Sequence, residues 1–153
     1  MSDMLKATQA SPDYHTPEYE ETNYINAHKG MMSWLMSIDH KRIGSMYLAA
    51  VFLTFALGGF LALAVRLELL NPGPDIMGPE TYNRVFTLHG LVMVFLFIIP
   101  SIPAAIGNFV LPLMLGAKDV AFPRMNRASL HIYIVGTIMA LYTTLEGGVD
   151  TGW

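Results

Sequence analysis

Apolar residues gather into three long runs that contain no Lys, Arg, Asp or Glu. The runs cover residues 43–65, 85–117 and 128–145. The hydrocarbon core of a bilayer takes about 20 helical residues, so each run predicts a transmembrane helix, although the third is short unless its flanks contribute. The pattern therefore predicts an all-α fold, namely a polytopic transmembrane helix bundle.

The beginning of the chain has a different pattern. Residues 1–28 contain five acidic residues and one lysine, with scattered Pro and Tyr and no long apolar run. This is neither a signal peptide nor a transit peptide pattern. Segments of this kind at a terminus are often poorly ordered. We therefore expect residues 1–36 to form a polar, partly extended arm, and residues 37–153 to form the domain of transmembrane helices.

Composition supports a membrane protein and narrows its chemistry. Hydrophobic residues make up 53% of the chain and charged residues only 14%. This is typical of a protein whose partner is the lipid bilayer. A formal net charge of −3 argues against a nucleic-acid partner. Because there is no cysteine, any metal must be bound by His, Met, carboxylate or carbonyl groups.

Basic residues in the connections predict the orientation. Lys41 and Arg42 precede the first run, and Lys118, Arg124 and Arg127 follow the second. By the positive-inside rule, the N-terminus and the second connection face the cytoplasm of a bacterial inner (plasma) membrane. The second run then begins near the outer surface and ends near the inner surface.

His89 is the candidate cofactor ligand, because it is an imidazole within an apolar run. An ionisable residue at membrane depth indicates a functional site by default. Neutral imidazole is a common axial ligand of haem iron. Met93 lies one helical turn further on, where a haem could pack against it. The alternative is a structural histidine that bonds to a carbonyl of a neighbouring helix and binds no metal.

Two residues at the end of the first run each have a functional and an ordinary interpretation, and for Arg66 the local sequence favours the ordinary one. Arg66 could bind a substituent of the same haem, or extend to the lipid interface as an ordinary arginine. Glu68 precedes Asn71-Pro72-Gly73, and its carboxylate with turn carbonyls suits a hard cation if other oxygens join them. An ordinary helix exit followed by a turn explains the same residues.

Asp119 is the candidate proton acceptor, because it lies at the predicted inner surface. A carboxylate there can collect protons from the cytoplasm. Asn108 and Asn126 could relay protons through bound water without carrying charge themselves. The alternative is a loop carboxylate paired with Lys118 or Arg124, which contributes little. His131, early in the third run, is more readily explained as structural.

Four segments together resemble subunit I of haem-copper terminal oxidases. They are SIDHKRIG at 37–44, YNRVFTLHG at 82–90, GNFVLPL at 107–113 and AFPRMN at 121–126. The resemblance is highly specific and runs from about residue 37 to residue 153. It implies that the chain holds the first three helices of a larger, twelve-helix subunit.

The resemblance implies roles around a low-spin haem. His89 is similar to one of its two axial histidines. Arg66 is similar to the arginine that contacts the formyl group of that haem, which favours haem A. Tyr82 and Trp153 match residues near the haem propionates.

Further implied roles lie at the two membrane surfaces. Glu68 and Gly73 match a calcium or sodium site near the outer surface. Asp119, Asn108 and Asn126 match the entrance of the proton-uptake pathway called the D-channel. At position 127 this chain has an arginine where many members of the family have a second asparagine.

The function implied by the resemblance is part of a cytochrome c oxidase catalytic subunit, which couples cytochrome c oxidation and O2 reduction to proton translocation. The ligands of the high-spin haem and of CuB lie on later helices of the family, so this chain alone is incomplete. The implied partners are the remainder of subunit I, subunits II and III, and cytochrome c.

Two alternatives remain at the level of sequence. One is a quinol oxidase of the same fold, and the other is a membrane subunit without redox chemistry. The polar residues of the family's quinol site are missing from the matching positions, which favours cytochrome c as the electron donor. Those positions are Leu57, Leu61, Thr81 and Arg84.

Overall fold

The computed structural model describes residues 25, 30–70, 72–73 and 76–146, and all regular structure in these ranges is helical. The elements, in chain order, are α1 (Met31–Leu35), α2 (His40–Glu68), α3 (Pro79–Leu91), π1 (Val92–Ile98), π2 (Ser101–Ile106), α4 (Gly107–Leu115) and α5 (Pro123–Leu145). The predicted all-α class is confirmed. Helix α1 lies in the last residues of the predicted arm, and most of that arm falls outside the described residues.

Two of the three predicted spans are confirmed as helices long and apolar enough to cross a membrane. One is His40–Glu68, and the other is Pro79–Leu115, which unites α3, π1, π2 and α4. Helix α2 begins where the Asp39 carboxylate accepts a hydrogen bond from the Lys41 amide at 2.8 Å. An acidic side chain at this position satisfies one of the unpaired amides of the first turn.

The third run forms helix α5, which has 23 residues. Its start follows the preference of proline for the first turn of a helix, because the missing proline N–H would be unpaired there anyway. The amide of Asn126 donates to the carbonyl of Phe122 at 3.0 Å, which closes that first turn. The membrane crossing of α5 stays a prediction.

The second long helix remains continuous through its prolines by changing its hydrogen-bond pattern. In π1 the Ile99 amide donates to the Val94 carbonyl, and after π2 the Gly107 amide donates to the Ile102 carbonyl, both across five residues. Such π-turns are rare and concentrate at functional sites. The helix ends at Gly116, which has a φ of 62° in the left-handed region that favours glycine.

Helix α2 lies at the centre and contacts each of the other long helices. Its buried residues Ile43, Tyr47 and Val51 form a core with Ala105 and Leu130. Large apolar side chains elsewhere point outward; Leu53 and Phe60, for example, are each 72% exposed. An outward apolar surface of this kind is typical of helices that lie in lipid or against further transmembrane helices.

Candidate functional site

His89 is fixed by a hydrogen bond to the helix beside it. Its Nδ1 lies 2.9 Å from the carbonyl oxygen of Gly58 on α2. A carbonyl oxygen only accepts, so Nδ1 must carry the proton. In a neutral imidazole the lone pair is then on Nε2, which is the arrangement that a metal-ligating histidine uses. This bond is also the one that the purely structural alternative predicts, so the surroundings of the ring must distinguish the two.

An apolar cavity of about 260 Å³ lies beside the imidazole. It is lined by Phe86, His89, Gly90 and Val94. Within the described part of the chain, Nδ1 is the only nitrogen of the His89 ring that has a hydrogen-bond partner. A ring nitrogen with a free lone pair beside an apolar cavity fits a flat, hydrophobic metal cofactor such as haem. The residues present therefore suit the implied group.

Tyr82 extends the wall of this cavity towards the start of the helix. Its ring stacks on that of Phe86, with centroids 6.4 Å apart and planes inclined by 14°. Tyr82 is half-buried and lies two turns before His89 on the same helix. The structure thus brings Tyr82 and His89 to one side of α3, as the resemblance implies.

Gly58 allows the close approach that the His89 bond requires. A side chain built at Gly58 would collide with the sulfur of Met93 and would lie 3.0 Å from its Cγ. Met93 therefore packs against the backbone of α2 at the level of the imidazole. Helix contact explains Gly58, whereas a Cβ at Gly59 would meet no atom within 4 Å.

Arg66 lies further along α2 and does not contact His89. It is eight residues beyond Gly58, which corresponds to about 12 Å along a helix axis. Its side chain is exposed, and it has no hydrogen bond or ion pair within the described residues. An exposed guanidinium without such partners could bind a substituent of a cofactor. The contact between Arg66 and a haem stays a prediction.

The Glu68 carboxylate holds the connection after α2. Its Oε2 accepts hydrogen bonds from the amides of Ile76 and Met77, at 3.0 and 2.9 Å, and the residue is buried. Gly73 in the same connection has a φ of 124°. Among the described residues, no group of three or more His, Cys, Asp or Glu side chains could hold a metal ion. The calcium or sodium site at Glu68 and Gly73 stays a prediction.

Asp119 pairs with a histidine that the sequence did not single out as functional. Nδ1 of His40 lies 2.8 Å from Oδ1 of Asp119, which also accepts the Val120 amide at 2.7 Å. The His40 side chain is 9% exposed, whereas that of Asp119 is 45% exposed. The carboxylate thus reaches solvent while its partner is anchored at the start of α2. The predicted alternative partners Lys118 and Arg124 form no ion pair with Asp119 in the described structure.

The two predicted relay asparagines are bonded to each other. Asn126 donates from Nδ2 to Oδ1 of Asn108, and Asn108 donates from Nδ2 to the Ala104 carbonyl at 2.6 Å. Gly44 on α2 makes room for this pair, because a Cβ there would lie 2.9 Å from Cβ of Asn108. The structure therefore joins residues that are 18 positions apart in the sequence.

A cavity of about 510 Å³ adjoins the asparagines and continues towards two hydroxyl groups that sequence reasoning missed. Asn108 and Asn126 line it together with Tyr47 and Ser129. The hydroxyls of Tyr47 and Ser129 are 3.0 Å apart. Neither residue lies in a recognisable motif, and only the contact between α2 and α5 reveals the pair. Amide and hydroxyl groups around a cavity of this size can bind a chain of water molecules.

Arg127 and His131, in the first part of α5, both bond to backbone carbonyls. Arg127 donates from Nη1 to the Met36 carbonyl at 2.9 Å, which ties the segment before α2 to α5. Nδ1 of His131 donates to the carbonyl of Arg127 at 2.8 Å, within the same helix. These bonds agree with the structural interpretation of His131. Trp153, predicted near the haem propionates, lies outside the described residues.

Comparison with known proteins identifies close relatives for most of the chain. The sequence model of the family "Cytochrome C and Quinol oxidase polypeptide I" matches residues 42–153. The chain is 42% identical over 125 residues to the probable cytochrome c oxidase subunit 1-alpha of Streptomyces avermitilis, which covers 80% of this chain. It is 44% identical over 132 residues to the cytochrome c oxidase subunit 1 of Corynebacterium efficiens, which covers 84% of this chain.

A cyanobacterial relative gives the same result. The cytochrome c oxidase subunit 1 of Synechocystis sp. is 44% identical over 116 residues, which is 76% of this chain. The chain spans 21%, 21% and 23% of the lengths of the Streptomyces, Synechocystis and Corynebacterium proteins, respectively. It thus corresponds to about a fifth to a quarter of each relative.

Proposed function

Because the chain belongs to the cytochrome c and quinol oxidase polypeptide I family, we propose that it forms part of the catalytic subunit of a proton-translocating cytochrome c oxidase. The relatives described above carry the name cytochrome c oxidase, which favours cytochrome c over quinol as the electron donor. The absence of the quinol-site residues at Leu57, Leu61, Thr81 and Arg84 supports the same donor. The protein is a multi-pass membrane protein, and we assign it to a bacterial plasma membrane with a cytoplasmic N-terminus.

The observation that carries the proposal is the position of His89 on the wall of an apolar cavity, with an Nε2 that has no partner among the described residues. Its Nδ1–H is bonded to Gly58, so Nε2 is the nitrogen that would hold the iron of a low-spin haem. The apolar cavity beside the ring supplies the low-dielectric surroundings that help set a haem potential. When bound, the haem would supply one-electron transfer. Another protein residue, not among those assigned here, would hold the haem from its other side.

Arg66, Tyr82 and Met93 support the haem assignment in different ways. Met93 in π1 packs against Gly58 on α2, beside the bond that orients His89. Tyr82 backs the aromatic wall of the cavity through Phe86. Arg66 offers an uncommitted positive charge, which suits the formyl group of haem A and would raise the reduction potential electrostatically. Trp153, which the resemblance adds to the haem surroundings, lies outside the described residues.

We assign proton uptake to Asp119, Asn108 and Asn126. Asp119 is half-exposed at the predicted cytoplasmic side, so its carboxylate can exchange protons with solvent. His40 orients that carboxylate and offers a second exchangeable group. The cavity beyond the asparagines, with the Tyr47 and Ser129 hydroxyls on its wall, could hold the water that moves a proton onward.

The complete enzyme requires more than this chain. The high-spin haem, CuB and their ligands belong to the remainder of subunit I, and subunits II and III complete the assembly that receives electrons from cytochrome c. A calcium or sodium ion at Glu68 and Gly73 is proposed as a structural cation near the outer surface. None of these groups is required for the bonds described above.

A reduced-minus-oxidised spectrum with analysis of the extracted haem tests the proposal. The purified oxidase that contains this chain should show a low-spin haem A band and should oxidise reduced cytochrome c. Turnover with ubiquinol and not with cytochrome c would assign it to the quinol oxidases. A complex without any haem absorbance would contradict the redox function altogether.

A further inference from the structure

One backbone carbonyl, that of Leu96, joins the three long helices. The Thr54 hydroxyl on α2 lies 3.1 Å from this oxygen, and the Tyr133 hydroxyl on α5 lies 2.7 Å from it. The Tyr133 hydroxyl donates to this oxygen from 37 residues away in the sequence. The Thr54 hydroxyl, 42 residues away, shares its one hydrogen between this oxygen and the Val51 carbonyl of its own helix, which lies 3.0 Å from it. Local structure therefore cannot produce this arrangement, which depends on the contact of all three helices.

Pro100 removes the backbone donor that the Leu96 carbonyl would have in an α-helix. In an α-helix the residue four positions later donates its amide to a carbonyl, and Pro100 has no amide hydrogen. Leu96 and Thr54 are each only 6% exposed, so water is largely excluded from the bond. A buried carbonyl at membrane depth is costly without a donor, and hydroxyls of neighbouring helices commonly replace the one that proline removes.

The position of this carbonyl links the two candidate sites. Leu96 lies in π1, between His89 on the outer side and Asn108 on the inner side. Each π-turn takes up one extra residue, which rotates the side chains beyond it by about 100° relative to an uninterrupted α-helix. If π1 reverted to α-helical pairing, His89 and Asn108 could not both keep their bonds to Gly58 and Asn126.

We propose that Thr54 and Tyr133 are positioning residues that maintain π1 and thereby hold His89 and Asn108 in register with their partners. Tyr133 does not line the cavity beside the asparagines. Its ring lies 5.4 Å from that of Tyr47, which does line this cavity, so the haem potential is the measurement that separates its role from the proton path. The inference rests on the proposed function for its functional readouts.

The test uses Tyr133→Phe and Thr54→Val, singly and together, in the oxidase that contains this chain. Tyr142→Phe is the control, because Tyr142 is on the same helix and is 62% exposed. The measurements are the midpoint potential of the low-spin haem and the rate of proton uptake when the reduced enzyme meets O2. Each single variant should shift the potential slightly, because one donor remains, and Tyr142→Phe should not shift it.

The double variant should lower the rate of proton uptake by about 10-fold, more than the product of the two single effects, because the carbonyl then loses both side-chain donors. Thr54→Ser in the Tyr133→Phe background keeps a hydroxyl and should restore the rate. An assembled double variant with the potential and rate of the unmodified enzyme overturns the proposal. The proposal is also overturned if the fold-decrease in the proton-uptake rate of the double variant equals the product of the fold-decreases in the two single variants.

The proposal can still be tested if the double variant does not assemble into an oxidase. If the double variant is not recovered, the single variants decide, and equal potentials in Thr54→Val, Tyr133→Phe and Tyr142→Phe overturn the proposal. Failure of the proposed function itself is recognised separately, because the unmodified enzyme would then lack the low-spin haem band or show no proton uptake.

Discussion

His40 and Asp119, which are 79 positions apart in the sequence, meet at 2.8 Å between Nδ1 and Oδ1. The histidine is nearly buried at the start of α2, and the carboxylate faces solvent at the end of the second long helix. This contact joins the start of α2 to the end of the second long helix. It also gives the proposed proton acceptor a fixed orientation, since Oδ1 binds both the imidazole and the Val120 amide.

Replacing the carboxylate should slow proton uptake. Asp119→Asn keeps the shape and the hydrogen-bonding capacity of the side chain but removes its ability to take up a proton. We expect the proton-uptake rate of the assembled enzyme to fall by about 10-fold or more. Stopped-flow measurement with a pH indicator gives the rate. Normal proton uptake and translocation in Asp119→Asn would remove Asp119 from the pathway.

Replacing its partner should have a smaller effect. His40→Ala leaves the carboxylate in place but removes one of its two hydrogen bonds. Because Asp119 is about half-exposed, water replaces much of the lost bond, and we expect a decrease of roughly 2- to 5-fold in the proton-uptake rate. His131→Ala is the matched control, since His131 bonds only within its own helix. Equal rates in the two variants would contradict the role assigned to His40.

The asparagine pair depends on the small residue beside it. Gly44→Ala would place a methyl group 2.9 Å from both Cβ of Asn108 and the Phe109 ring, so the helices must separate. We expect a loss of about 1–3 kcal/mol of stability and a slower proton uptake. Gly136→Ala is the control, because a Cβ at Gly136 would meet no atom of the described residues within 4 Å. Retention of the unmodified rate and stability in Gly44→Ala would show that the approach of α2 to Asn108 is unimportant.

Adding a side chain at Gly58 on α2 should disturb the position of His89 and change the spectrum of the low-spin haem. Gly58→Ala places a methyl group against Met93, which should push apart the backbone that binds His89. We expect a shifted or broadened low-spin haem band and a destabilisation of about 1–3 kcal/mol. The same Gly136→Ala variant should leave the band unchanged. A normal spectrum in Gly58→Ala would mean that the His89–Gly58 bond does not control the cofactor.

Much of the fold was predictable because the bilayer imposes a simple rule on sequence. Runs without charge gave the two confirmed spans, since a helix that crosses lipid must satisfy its own backbone groups. Pro100 and Pro103 lie within the second long helix, where each removes a backbone donor. They did not predict that the helix continues through π-turns, because that outcome depends on hydroxyls supplied by α2 and α5.

The local sequence predicted a site residue only where that residue was unusual for its surroundings. His89 was conspicuous as an imidazole among apolar residues, yet nothing in the local sequence specifies Gly58 as its partner. His40, Tyr47 and Ser129 were missed as functional candidates for the same reason. Their contacts join segments about 80 residues apart, and such contacts follow from helix association and not from sequence spacing.

We assign Nε2 of His89 as a ligand of the low-spin haem. A His89→Ala variant of the oxidase tests this assignment. The reduced-minus-oxidised spectrum of the purified variant should lose the low-spin haem band, while His131→Ala should keep it. Extracted-haem analysis on the same samples measures the lost cofactor. An unchanged low-spin band in an assembled His89→Ala enzyme would contradict the account.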